Sequence, residues 1–194
     1  MRDDFYMQTD QIRSALKETM SEARFAHCEG VAKEAKALAL HYGADAEKAV
    51  LAGLAHDCVK ELDFDEMFKL CEKYRITLDS ITKEEKKLIH AVLGAEYAKR
   101  ELGIDDPEIY DAIRYHTTAK ADMPLLTKIV YVADYTEEGR TFAGVDEIRK
   151  TSYINLDLAV LEGLDYTIAK LLRNKRMLHP ETVNARNYIL LKQR

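Results

Sequence analysis

Apolar side chains recur every three or four positions along almost the whole chain, the spacing that lines one face of an α-helix. Ile12, Leu16 and Met20 mark a first helix over about 10–20. Ser21 caps a second, which runs to "LHYG", where Gly43 is a natural stop. "DAEKAVLAGLAHDCVKEL" reads as a third, with Asp45 as its cap and Glu47 in its first turn, and "DFDEMFKLCEKY" as a fourth. "TKEEKKLIHAVLGAEYAKRELG" reads as one fifth helix, opened by a Thr82–Glu85 capping box and closed by Gly103. In "DDPEIYDAIRYH" Asp106 caps a sixth and Pro107 sits in its first turn. "PLLTKIVYVADY" starts a seventh on Pro124, and three further helical pieces follow from about 145, broken at "NKRMLHPE". No stretch alternates with period two for long enough to form a sheet. There is no internal repeat or flexible linker. The expected architecture is an all-α bundle of about eight to ten helices, one domain over 1–194 with the helix at 1–20 packed on it.

Composition agrees and narrows the partners. Eight Gly and three Pro among 194 residues leave few helix breakers. A net charge of −5 offers no electrostatic case for nucleic acid or an anionic membrane, so a polyanionic ligand needs a local basic pocket or a metal. No apolar run approaches the roughly 18 residues of a membrane span, and "MRDDFYMQTD" lacks the apolar core of a signal peptide, which leads to the expectation of a cytoplasmic protein. Three cysteines, Cys28, Cys58 and Cys71, odd in number and never spaced as CxxC, speak against a disulfide framework or a thiolate zinc site. Cys28 and Cys58 read as small core residues.

Candidate chemistry lies in the histidines and carboxylates. His56 and Asp57 stand side by side in the otherwise apolar "AGLAHDCVKEL". Burying such groups unpaired costs roughly 2–7 kcal/mol each, so something must satisfy them. His27, His56–Asp57, His90, His116 and Asp134 fall on successive expected helices, and only a tertiary fold brings them together. Imidazole and carboxylate are the usual ligands of catalytic Zn, Fe and Mn. Neighbours on a helix diverge by about 100°, so His56 and Asp57 share an ion only where the helix presents its edge. Lys60, at i+4 from His56 and i+3 from Asp57, overlies the same patch and suits a phosphate. Arg24 overhangs His27 in the same way. His41, near a helix end, reads as a partner of the helix dipole.

The order H…HD…H…H…D resembles the HD-domain metal-dependent phosphohydrolases. "RFAHCEGVA", "LAGLAHDCVKEL", "IRYHTTAKADMPLLTKIVYVADYTEEGRTFAGVDEIR" and "LHPETVNARN" are similar to the bacterial HD-domain family of symmetrical diadenosine tetraphosphate hydrolases, over about residues 20–190. The resemblance implies that His27, His56, Asp57 and Asp134 hold the metal, commonly iron, with manganese, cobalt or zinc as alternatives and one or two ions. It implies that Arg24, Asp57, Lys60, His90, His116, Thr117, Asp134, Arg140 and the stretch Met177, Leu178, His179, Pro180, Glu181 and Thr182 contact the nucleotide. Ala91 and Val92 stand where relatives often have Gly-Pro, and Gly139 where they often have Pro before the Arg.

The implied reaction is hydrolysis of diadenosine tetraphosphate to two ADP. A bound divalent metal acidifies its water, towards pKa about 7 with zinc, and with Lys60 neutralises phosphoryl oxygens. Asp57, Lys60, His90 and His116 are the expected catalytic groups. Asp57 can ligate the metal with one oxygen while the other accepts a proton from the water. His90 and His116 are either ligands of a second ion or partners of the phosphates, and His116 can protonate the leaving group. "RMLHPETVNARNY" alone reads as a turn with Pro180 starting a terminal helix. With the resemblance, the turn closes over base and ribose with His179 and Thr182 facing the ligand. "TKEEKK" and "DFDE" read as solvated faces and caps. Other readings are an HD hydrolase of an alarmone or a deoxynucleoside triphosphate, and a nucleotide-sensing module without turnover. A homodimer is compatible with the sequence.

Overall fold

A computed structural model describes the backbone of residues 2–193 and the side chains of residues 9–193. The described residues form eleven α-helices and no strand: α1 Arg2–Thr19, α2 Glu22–Tyr42, α3 Ala46–Ala55, α4 Phe64–Tyr74, α5 Ser80–Glu84, α6 Lys86–Arg100, α7 Pro107–Tyr115, α8 Leu125–Thr136, α9 Val145–Ser152, α10 Leu156–Arg173 and α11 Pro180–Lys192. The all-α bundle is the one the periodicity predicts. Caps act where the sequence places them. Ser21 accepts from the Arg24 amide, Asp45 from Glu47 and Lys48, and Asp106 from Glu108 and Ile109. Gly43 ends α2 in the left-handed conformation at φ 72°.

Three boundaries differ from expectation, the first being that α1 begins at Arg2 rather than at about residue 10. The run 82–103 is not one helix. Asp79 accepts from the Ile81 and Thr82 amides and from the Thr82 hydroxyl, which makes Thr82 the third residue of the short α5 rather than a cap. Glu85 adopts an extended backbone (φ −125°, ψ 102°) and makes no side-chain cap to α6. Its carboxylate instead receives three bonds from Arg176, at 2.7, 2.8 and 3.2 Å, so the expected capping box does not form. The third helix stops at Ala55 instead of running to Leu62. The His56 ring bonds the Gly53 carbonyl through Nδ1 at 2.7 Å. From there the chain tightens into three-residue turns, Cys58 to Ala55, Lys60 to Asp57 and Leu62 to Val59.

Helices α2, α3, α7 and α8 pack against one another and enclose the main core, with α10 behind α8. Ile12 and Leu16 of α1 join that core. A second core, around Met67, Ile89 and Leu93, lies between α4 and α6. The α2–α3 contact is the closest, and Gly53 sets it. A Cβ at Gly53 would stand 2.6 Å from the Ala32 Cα and 2.8 Å from the Ala32 nitrogen, both backbone atoms that cannot yield. The helices therefore approach near enough for His27 on α2 and His56 after α3 to stand with ring centroids 5.2 Å apart.

Gly53→Ala tests this directly. Forcing α2 and α3 apart is expected to cost about 3 kcal/mol, at the upper end for an overpacked core. Urea unfolding followed by circular dichroism measures it, and a midpoint equal to the native one would show that the contact is not tight.

Candidate metal centre

Four acceptor atoms from three places in the bundle meet between α2, α3 and α8. His27 Nε2 lies 3.1 Å from Asp134 Oδ1 and 3.8 Å from Asp57 Oδ2, and His56 Nε2 lies 3.5 Å from Asp57 Oδ2 and 3.9 Å from Asp134 Oδ1. Each imidazole is oriented from behind. His56 gives its Nδ1 proton to Gly53, and His27 Nδ1 faces Glu137 Oε1 at 3.1 Å. With the proton on Nδ1, each Nε2 presents a lone pair, and neither of these buried atoms has a hydrogen-bond partner among the described residues. Two bare imidazole nitrogens and two carboxylate oxygens facing one another repel unless a cation lies between them. Atoms sharing one ion at about 2.1 Å stand about 3.0–3.5 Å apart, close to the separations found here. The residues fit a divalent metal.

Asp57 joins this group to a second. Its Oδ1 faces His90 Nε2 at 3.0 Å, His116 Nε2 at 3.4 Å and Lys60 Nζ at 3.3 Å. Lys60 Nζ also lies 2.9 Å from His90 Nε2, which in turn stands 3.0 Å from His116 Nε2. His116 gives its Nδ1 proton to the Ile113 carbonyl at 2.7 Å, which leaves its Nε2 an acceptor. The Lys60 ammonium is thus the positive charge among these three atoms. Burial, followed by the Lys60 charge, pushes the His90 imidazole down to about 3, and burial also lowers His116. With its Nδ1 on the Ile113 carbonyl, His116 turns Nε2 toward Asp57 and the cavity.

Arginines close both carboxylates. Arg24 Nη1 donates to Asp57 Oδ2 at 2.8 Å, and Arg140 pairs with Asp134 Oδ1 while its Nε donates to the Asp134 carbonyl at 2.7 Å. Sequence reasoning missed the support behind them. Glu137, 5% exposed, backs His27 and accepts from the Gly139 amide at 2.5 Å. It fits because Gly30 has no side chain: a Cβ there would lie 2.7 Å from Glu137 Oε2. Arg149 binds the carbonyls of Thr136, Glu137 and Arg140 at 2.7–2.9 Å and fixes the loop after α8. A signal for Glu137 existed in its place three residues after Asp134, although "TEEGR" does not say which Glu turns inward.

A cavity of about 810 Å³ opens on the cluster, lined on that side by Lys60, His116, Thr117, Asp134 and Arg140. Thr117 Oγ1 is buried and unpartnered among the described residues. Of the tail stretch, Met177, His179 and Thr182 line the cavity, whereas Leu178, Pro180 and Glu181 do not. Pro180 opens α11, and the Glu181 amide donates to His179 Nδ1, so this part of the stretch serves as a helix cap. His179 Nε2 is turned to Asp79 Oδ2 at 3.3 Å. Cavity residues the sequence did not single out include Lys87, Phe142, Tyr166, Lys170 and Arg176. His41 stands apart, its ring edge-on to Tyr42 and Tyr153. All three cysteines are free, and none of the helices is long and apolar enough to cross a membrane, among the described residues.

The HD domain family profile matches residues 24–139, more than half of the chain. The symmetrical bis(5'-nucleosyl)-tetraphosphatase of Halalkalibacterium halodurans is 38% identical over 188 residues, covering 97% of this chain and all of that protein. Its counterpart in Bacillus subtilis is 34% identical over 95% of this chain and 98% of that one. A crystal structure of an HD superfamily hydrolase from Clostridium acetobutylicum, described as involved in NAD metabolism, superposes with a TM-score of 0.91 at 39% identity, over 94% of this chain and 97% of that one.

The carboxylate behind His27 predicts a graded effect on metal affinity. Glu137→Gln keeps an acceptor oxygen and is expected to weaken binding about ten-fold, and Glu137→Ala about 100-fold, the usual range for losing a ligand's outer partner. Competition with a chromophoric chelator reads both. Native affinity in Glu137→Ala would show that Glu137 does not orient the ligand.

Proposed function

The chain belongs to the HD-domain family of hydrolases, and from that premise we propose that it cuts diadenosine tetraphosphate symmetrically into two ADP. The observation that carries this reading is the junction of two orphaned imidazole nitrogens with a cavity whose walls bear Lys60, Lys87, Arg140, Lys170 and Arg176. A net-acidic protein has here a local basic pocket, the condition a polyphosphate ligand imposes. The full-length similarity to two symmetrical tetraphosphatases supports the substrate.

In this reading His27, His56, Asp57 and Asp134 hold one divalent cation, iron in the first place, with manganese, cobalt or zinc as alternatives. A cation held there supplies Lewis-acid charge to a phosphoryl oxygen and acidifies a water. One ion is favoured over two because the Lys60 ammonium already stands among the second group of atoms, Asp57 Oδ1, His90 Nε2 and His116 Nε2. Lys60 lines the cavity and meets the phosphoryl group as negative charge builds on it. His116 Nε2, unprotonated and on the cavity wall, takes the proton of the attacking water. His90 and Asp57 hold Lys60 and His116 in place from behind. Arg24 and Arg140 balance the two carboxylates and lie ready for the flanking phosphates. Thr117 offers its unpartnered hydroxyl to the same chain, and Met177, His179 and Thr182 border the nucleoside. The protein acts as a single catalytic domain, the helix at 1–20 packed on it, in the cytoplasm.

Incubating metal-loaded protein with diadenosine tetraphosphate and separating products by ion exchange tests the reading. ADP alone is expected; AMP plus ATP would overturn symmetrical cleavage, and no product would favour a sensing module. Lys60→Met is expected to retain its metal while kcat falls about 100-fold, as for loss of one electrostatic stabiliser. Native kcat in that variant would show that Lys60 plays no part in the reaction.

A further inference from the structure

The cavity runs along α10. Tyr166, Thr167, Lys170, Leu171 and Asn174 follow one another on the lining face of that helix, a span of about 12 Å from Tyr166 to Asn174 at the helical rise. The two ends differ in chemistry. Arg176, Met177 and His179 lie beyond the Asn174 end, in the connection to α11. At the other end Phe142 and Tyr166 stack with ring centroids 4.4 Å apart and planes 33° apart. Tyr135 stands edge-on to both, at 6.2 and 6.4 Å, its hydroxyl held by Thr167.

Packing alone does not account for Tyr166. Phe142 and Tyr135 pack against the main core, and Tyr166 is not part of that cluster. Its ring is half-buried on a face of α10 that turns to the cavity, supported on one side by Phe142. One turn along, Lys170 carries its ammonium 5.6 Å from the Tyr166 ring centroid. Among the described residues no carboxylate pairs with Lys170, although most basic side chains lining the cavity have one. Arg140 has Asp134, Lys60 has Asp57 and Arg176 has Glu85. A pre-oriented aromatic face with an unpaired cation beside it offers stacking for a nucleobase and charge for the phosphate that follows it.

A symmetrically cut substrate has two identical halves, and the cluster with its surrounding cations needs to hold only the phosphates at the cut. We propose that the Phe142–Tyr166 pair is the seat of one of the two nucleobases, with Lys170 on the phosphate next to it, while the other base lies toward the Asn174 end. This rests on the reading of a dinucleoside tetraphosphate as substrate. The shelf makes the enzyme select for a second nucleoside rather than for a bare tetraphosphate chain. It takes any base with a π-face, so adenine can be exchanged for guanine at that end at little cost.

Isothermal titration of the metal-loaded protein with two probes tests it. One is diadenosine tetraphosphate with a methylene at the central bridge, which resists cleavage, and the other is adenosine 5'-tetraphosphate, which lacks the second nucleoside. The native protein is expected to bind the first at least ten-fold tighter, the order that stacking one base supplies. Tyr166→Ala is expected to abolish that preference while leaving affinity for adenosine 5'-tetraphosphate within two-fold of native, and Tyr166→Phe to keep it. A native preference retained in Tyr166→Ala overturns the proposal. So does equal weakening of both probes, which would mark Tyr166 as structural. Product analysis of the native protein separates this from the parent reading: ADP released with no second-nucleoside preference leaves the reaction standing and removes the shelf. Failure of the native protein to bind either probe removes both.

Discussion

Everything in this molecule turns on two buried imidazole nitrogens without a hydrogen-bond partner among the described residues. His27 and His56 each spend their one proton on an oxygen behind them, Glu137 Oε1 and the Gly53 carbonyl, and so expose a lone pair toward Asp57 and Asp134. A buried polar atom without a partner costs about 1–3 kcal/mol, and two carboxylates among the same acceptors add repulsion. The nearby cations, Arg24 and Arg140, bind the carboxylates from the outside and leave the two nitrogens unpaired. A divalent cation at the centre would relieve both costs.

The bundle is arranged to produce that convergence. Gly53 lets α3 lie against the backbone of α2, and its carbonyl then takes the His56 proton, so one residue sets both the helix distance and the tautomer. The tightened turns after Ala55 bring His56 and Asp57 to the same centre, neighbours that a regular helix would have splayed by about 100°. Beyond α8, Arg149 ties three carbonyls of the loop and holds Glu137 and Arg140 where they back the ligands. Asp57 couples the two halves of the site. One oxygen belongs to the four-acceptor group and the other to Lys60, His90 and His116, so charge placed on one side is felt on the other.

Much of this was legible in the sequence, and the limits are physical. Helical periodicity and capping residues gave the bundle and most boundaries, since caps such as Asp45 and Asp106 act through neighbours in the chain. The break at Glu85 was not legible because its cause, Arg176, is 91 positions away. The end of α3 was hidden for a related reason: apolar spacing continues through Cys58, Val59 and Leu62, and only the ring of His56 ends the regular bonding. His56 and Asp57 stood out as residue types that burial does not tolerate unpaired, and the family resemblance added His27 and Asp134. Glu137 did not, because "TEEGR" offers two adjacent carboxylates, and the slot that selects one is made by Gly30, on another helix. The aromatic wall of the cavity was equally silent, since no local pattern around Phe142 or Tyr166 marks a cavity-facing side.

The central claim is that the four atoms facing one another form a single cation site with Lys60 beside it. Anomalous diffraction from crystals of the full chain grown with Mn²⁺ measures this most directly. One anomalous peak is expected, bonded to His27 Nε2, His56 Nε2, Asp57 and Asp134, with the Lys60 ammonium still in contact with His90. A density map with no peak among those atoms, or with a second ion between His90 and His116 and Lys60 displaced, would contradict it.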